Sequence, residues 1–338
     1  MRIKIPWKTC LYYRQTLRGE DAALYNTIVE GLLDWKTEIQ VGNYPDPDRA
    51  AEIYHMVLLD VPMFFHVQNG LNIQRGRQMY LHPSYGMSEE EYRKYFAQVE
   101  TFVNNACRRL ANRTELERLV SIHDSILRHV FYRDTKAKYE HNVLGTIIER
   151  KAVCESIAKA CKLLADVAQI PCVAVSGWAA DLNDPNFDPN EPREDNHVWN
   201  LVRLDRKHWY AVDVTFDLGL LGEPEAVLPR YDYFLRPDKA FAQDHEATKG
   251  LVLPACPEDY HYYRKIGRSV ASHGDIRKIV KRVLSAGIKT VTFELEPEFT
   301  ASDEEIAETV VGALPLTMSG ACSYSYIEQT RVFSVSFQ

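Results

Sequence analysis

The sequence predicts an α+β fold, and three observations carry that prediction. A helix opens at Cys154 with Ile157, Ala158, Cys161, Leu164, Ala165 and Ala168 on one apolar stripe. Strand-like runs follow it at 172–180, 197–204 and 209–216. Helical patterns dominate the chain before residue 131, and a short αβαββ pattern closes it after about residue 265.

Element by element, the stripe of Leu24, Ile28, Leu32 and Leu33 predicts a helix within 21–40, and a second helix is expected at 48–59. After Pro62 the pattern turns to strands at 63–67, 71–74 and 77–81, with Asn69-Gly70 read as a turn. Ser88 with Glu91 and Thr114 with Glu117 are capping boxes, which open helices over about 88–110 and 115–131. Ile170-Pro171 stops the Cys154 helix. The segment 181–196 is rich in Asp, Asn and Pro and reads as a loop. At the end of the chain come a helix at 274–286 stopped by Gly287, a strand at 289–295, a helix near 303–313 boxed by Ser302 and Glu305, and strands at 321–327 and 331–337. Three parts are expected: a helical N-terminal region with a small sheet at 1–112, the core at 113–262, and a small α+β domain at 263–338.

Composition narrows the function. A chain of 338 residues with a net charge of -7 and a pI near 5.9 lacks the basic surface of a nucleic-acid binder. No run approaches the ~18 apolar residues of a membrane span, and Arg2, Lys4 and Pro6 do not lead into a signal-like apolar stretch. The expectation is a cytoplasmic protein with reduced thiols, since the seven cysteines form no tight framework. Oligomeric state is not legible. No C-x-x-C pair, H-E-x-x-H, P-loop or G-x-S-x-G occurs. Pro185 falls where the acidic loop would need a third calcium ligand. No cofactor and no metal are therefore expected.

Three residues carry the chemistry. Cys154 lies in AVCESIAKACKLLADVAQIPC (152–172), His197 opens HVWNLV, and Asp213 sits in WYAVDVTFD (209–217). A thiol, an imidazole and a carboxylate are the parts of a nucleophile–base–orienter relay. A cysteine on an apolar stripe alone reads as core packing, and a lone strand histidine as half-buried structure. Asp213 between Val212 and Val214 is different, because an acid in an apolar strand needs a partner. A helix N-terminus favours the thiolate form of Cys154, and a nearby imidazolium adds to that. His197 could then protonate a leaving amine while Asp213 holds its ring. The amide of Cys154 and one donor from Tyr139, His141 or Asn142 would bind the oxyanion.

The VCE helix start, the H-x-W-N strand and the D-x-T strand occur in the order seen in the transglutaminase-like superfamily, which this chain resembles over roughly residues 115–240. It departs at Ser156, where many relatives carry glycine. The resemblance implies a papain-like core, a nucleophile helix packed on an antiparallel sheet. It also implies a cysteine enzyme acting on amide bonds of peptides or proteins through Cys154, His197 and Asp213, with hydrolysis by a peptidase or deamidase favoured over cross-linking. The alternative is a non-catalytic binding or scaffold protein that keeps the fold. Trp199, Asn200, Glu155 and Thr215 match the motifs and are read as structural support. The acidic loop would rim the cleft and favour basic substrates. For His197 and Asp213 to share a face, their strands must pair with an even residue sum, through an odd-length loop at Asp205–Lys207 or a bulge.

Overall fold

The computed structural model describes residues 2–134, 136–180, 193–219, 229–315 and 322–337. The N-terminal part contains helices α1 (Tyr12–Thr16), α2 (Gly19–Leu33) and α3 (Pro47–Asp60). Strands β1 (Ile39–Gly42), β2 (Val67–Arg75) and β3 (Met79–Tyr85) form an antiparallel sheet in the order β1-β3-β2. Helix α2 ends with its stripe at Leu33, short of residue 40, because Trp35 takes φ +57° and the chain turns into β1 at Ile39. Residues 62–66 form turns rather than a strand. Asn69-Gly70 is not the hairpin turn: it lies inside β2, where the register shifts between Val67 and Leu71. The reversal falls later, where the Gly76 amide donates to the Gln78 carbonyl. Ser88 and Thr114 form complete capping boxes at α4 (Glu89–Leu110) and α5 (Glu115–His129).

Strand β4 (Phe131–Tyr132) pairs in parallel with β5 (Lys151–Ala152), which delivers the chain to helix α6 (Cys154–Val167). Helix α6 lies against an antiparallel sheet made of β6 (Cys172–Ala179), β7 (His197–Leu204), β8 (His208–Val212), β9 (Phe234–Arg236) and β10 (His245–Ala247). The strand order is β10-β6-β7-β8-β9. Strand β8 stops at Val212, short of the expected 216, and helix α7 (Val214–Gly219) begins at once. Helix α8 (Asp238–Phe241) lies between β9 and β10. The chain then runs through α9 (Tyr262–Lys265), β11 (Ser269–Val270), α10 (His273–Ser285), β12 (Thr290–Leu295), α11 (Asp303–Val311), β13 (Cys322–Ile327) and β14 (Val332–Phe337). These last four strands order as β11-β12-β14-β13.

One hydrophobic core runs from Ile3 through the middle sheet to Tyr263, and a smaller one gathers residues of 270–337. Arg236 of β9 joins the two regions by donating to Glu294 at 2.6 Å. No helix among the described residues is long and apolar enough to cross a membrane.

Every residue of α6 from Cys154 to Asp166 is buried, so the helix has no solvated face on which to place its polar side chains. Lys162 shows the consequence. Its ammonium is fully buried and donates to the carbonyls of Cys10 and Cys172, both at 2.9 Å, and to Asp166 at 3.1 Å. It ties α6 to the N-terminal segment and to β6 at once. Lys162→Met strands the Asp166 carboxylate without its cation and should cost about 3–5 kcal/mol. Urea unfolding followed by circular dichroism checks this; a loss below about 1 kcal/mol would mean the pair is not holding the helix.

Candidate active site

Cys154 is the first residue of α6, and the residue before it, Val153, offers no side-chain cap. The helix therefore starts without a side-chain cap, leaving first-turn amides without intrahelical partners. The thiol is nearly buried and directs a long hydrogen bond, 3.9 Å, at the Asn196 carbonyl. The next residue in the chain is His197, at the start of β7.

Strands β7 and β8 pair with Leu204 opposite His208 and Asn200 opposite Val212, an even sum reached through the three-residue loop Asp205–Lys207. This register sets His197 and Asp213 on the same side of the sheet. Their contact is direct: His197 Nε2 lies 2.5 Å from Asp213 Oδ2. Asp213 is fully buried, and its other oxygen, Oδ1, accepts from the amides of Thr215 and Phe216 at 2.8 and 3.0 Å. The same side chain thus caps α7 and ends β8, which is why the expected strand stops early. Burial works against the charge on His197, but the Asp213 carboxylate and the neighbouring Cys154 thiol outweigh it and raise the pKa to about 10. Burial would also neutralise Asp213, yet the two imidazoles facing it hold its pKa below the ordinary carboxylate value. One of those imidazoles was not anticipated from the sequence: His245, whose Nε2 is 3.1 Å from Asp213 Oδ2.

The supporting residues have distinct partners. Trp199 stacks on His197 with ring centroids 6.2 Å apart. Asn200 Nδ2 donates to the Ala158 carbonyl of α6 at 3.1 Å, fastening strand to helix. Glu155 is buried and bound by Asn69, Lys159 and His141 at 2.7 to 3.1 Å. Of the suggested oxyanion donors, Tyr139 is buried against Tyr95, and the Asn142 side chain accepts from the Leu144 amide. His141 keeps an exposed ring but is held by Glu155. A cavity of about 220 Å³ opens beside this group, walled by Phe64, Phe65, Met87, Asn69, His141 and Lys159. The N-terminal region thus supplies Asn69 and much of this wall. Residues 181–192 of the acidic loop lie outside the described residues. Ligand atoms of His197, Asp213 and His245 lie within 4.8 Å of one another, the grouping among the described residues that could take a metal ion.

Residues 103–214 match the family model of the transglutaminase-like superfamily. The core of this chain is transglutaminase-like. Two solved structures are similar in part. One is described as a TGase, with 13% identity over 48% of this chain and a TM-score of 0.31. The other is a Cytophaga hutchinsonii protein described as a "putative cysteine protease", with 14% identity over 43% of this chain and a TM-score of 0.28. The matches span 47% and 61% of those two chains. No curated protein sequence matches.

The departure at Ser156 from the glycine of many transglutaminase-like relatives has a physical reason. Its buried hydroxyl donates to the Asn142 carbonyl at 2.5 Å and accepts from the Thr146 amide and hydroxyl at 3.0 and 2.8 Å. All three hydrogen-bonding capacities are used to pin residues 142–146 against the first turn of α6. Ser156→Ala should cost about 1–3 kcal/mol, because a buried carbonyl and amide lose their partner. The urea midpoint measures it; an unchanged midpoint would show that the segment is held without Ser156.

Proposed function

We propose that the protein is a cysteine-dependent acyl-transfer enzyme that hydrolyses amide bonds of peptides or proteins. The observation that carries this reading is the His197 ring, bound to a buried carboxylate at Nε2 and close enough to the Cys154 thiol for that sulfur to favour its charge. Cys154 is the nucleophile. Its thiolate attacks the amide carbonyl, and the carbonyl oxygen takes the negative charge beside the first-turn amides of α6. The His197 imidazolium donates its proton to the leaving nitrogen as the C–N bond breaks, leaving a thioester on Cys154. His197, now neutral, removes a proton from the incoming water, and collapse of the second tetrahedral intermediate releases the acid and restores the thiolate. Asp213 fixes the ring and supports its charge in both steps. An amine in place of water would give cross-linking with the same groups.

The groups around Cys154 serve any small acceptor alike, and hydrolysis is the reading proposed because water is the most abundant acceptor. The 3.9 Å contact to the Asn196 carbonyl is long because sulfur is a large and weak donor.

Three outcomes are expected. Iodoacetamide at neutral pH should label Cys154 before Cys10, Cys107, Cys161, Cys172 and Cys256, which are also free thiols. Burial raises the thiol pKa of Cys10, Cys107, Cys172 and Cys256. Cys154→Ala should then abolish hydrolysis of a fluorogenic peptide library while leaving the circular dichroism spectrum and melting transition in place. Because the His197 charge is lost only as pH rises through about 10, the acid-catalysed step should persist across neutral pH and fail above that value. Hydrolysis retained by Cys154→Ala, or labelling spread evenly over the thiols, would remove Cys154 from the chemistry.

A further inference from the structure

His245 extends the side-chain chain beyond Asp213. It comes from β10, the edge strand beside β6, and Gly177 of β6 permits the approach. A Cβ at Gly177 would lie 2.2 Å from the Glu246 carbonyl oxygen and 2.8 Å from both Ala247 Cα and Trp199. Without one, β10 and Trp199 close over this point, and the His245 ring on β10 meets Asp213, which follows β8. Its Nε2 is 3.1 Å from the same Asp213 oxygen that takes His197, and its Nδ1 is 2.5 Å from Asp244 Oδ1. Asp244 Oδ2 accepts from the Tyr233 hydroxyl at 2.6 Å. Asp213, Asp244, His245 and Tyr233 are all buried.

An ionised carboxylate only accepts hydrogen bonds, so an imidazole with carboxylate oxygens at both nitrogens satisfies both only when both nitrogens carry protons. A cation between two buried carboxylates also offsets the cost of burying the second negative charge near the first. We infer that His245 is a positioning residue, an imidazolium clamped between Asp213 and Asp244 that fixes Asp213 and shares its charge with His197. It touches neither Cys154 nor the reacting atoms. Its ring centre is 5.6 Å from that of His197, so two like charges compete for one carboxylate oxygen. The effect is to hold the proton affinity of His197 below what Asp213 alone would impose, which keeps that proton transferable. The titratable groups facing His245 are Asp213, Asp244, His197 and Tyr233, and the remaining neighbours are the rings of Trp199, Phe216 and Phe241.

This inference rests on the role proposed for His197, and the test separates the two. Nitrogen NMR of the 15N-histidine-labelled full chain reads the protons of each ring directly, for wild type and His245→Gln. The glutamine amide keeps a donor toward Asp213 and removes the charge. In wild type, both nitrogens of His245 should be protonated through neutral pH. In His245→Gln, the His197 titration should move up by roughly one pH unit, and the pH profile of Cys154 alkylation should move with it. A purely structural role would lower the melting temperature and leave both profiles in place. A singly protonated His245 in wild type, superimposable His197 titrations, or loss of both Nε2 protons on adding one equivalent of zinc chloride would overturn the inference. If His245→Gln does not fold, the wild-type nitrogen spectrum and Asp244→Asn decide it, since Asp244→Asn should cost His245 its Nδ1 charge partner. Should Cys154 of wild type show no selective alkylation, the enzymatic reading falls while the protonation of His245 is still read independently.

Discussion

A buried carboxylate at Asp213 is the constraint on which the site depends. Its two oxygens receive four donors: the amides of Thr215 and Phe216, and the rings of His197 and His245. A charge taken fully out of water persists only when its hydrogen-bonding capacity is filled in this way. Filling it dictates local backbone: β8 ends, α7 starts, and the Asp213 amide itself turns to the Tyr233 carbonyl at 2.8 Å. The sheet then needs both its centre, which provides His197, and its far edge, which provides His245. The end of β8, the start of α7 and the edge strand β10 all converge on one side chain.

The opposing partner, helix α6, is oriented by polar latches rather than by apolar packing alone. Lys162, paired with Asp166 on the same helix, anchors its second half to the carbonyls of Cys10 and Cys172. Asn200 holds its middle to β7, and Ser156 with Glu155 pins the first turn to the 139–146 segment and to Asn69. Directional bonds of this kind resist rotation of the helix about its axis, which hydrophobic contact by itself tolerates. The direction of the Cys154 sulfur is thereby fixed from four sides.

Much of this was legible in the sequence because it is local. Capping boxes at Ser88, Thr114 and Ser302 are written within four residues and form as read. The helix start at Cys154 and the parity of the β7–β8 loop follow equally from short-range rules. What escaped depends on distant partners. The segment WYAVDVTF alternates like a strand, yet Asp213 finds more by capping α7 than the strand would offer it. Asn69-Gly70 has turn composition, but a side-chain bond to Glu155, 86 residues away, keeps it inside β2. His245 lies beyond the matched motifs and in no pattern of its own; only the sheet order brings it to Asp213. The all-round burial of α6 was hidden because Lys159 and Lys162 look solvated until their partners are known.

The most direct measurement is the tautomer and protonation of His197 across pH, read by proton–nitrogen NMR on the labelled full chain. The Asp213 bond predicts a low-field proton on Nε2 that persists from neutral pH through the transition near 10, while the proton lost in that transition comes from Nδ1. A His197 that titrates near its ordinary value, or whose Nε2 is unprotonated at neutral pH, would contradict the account.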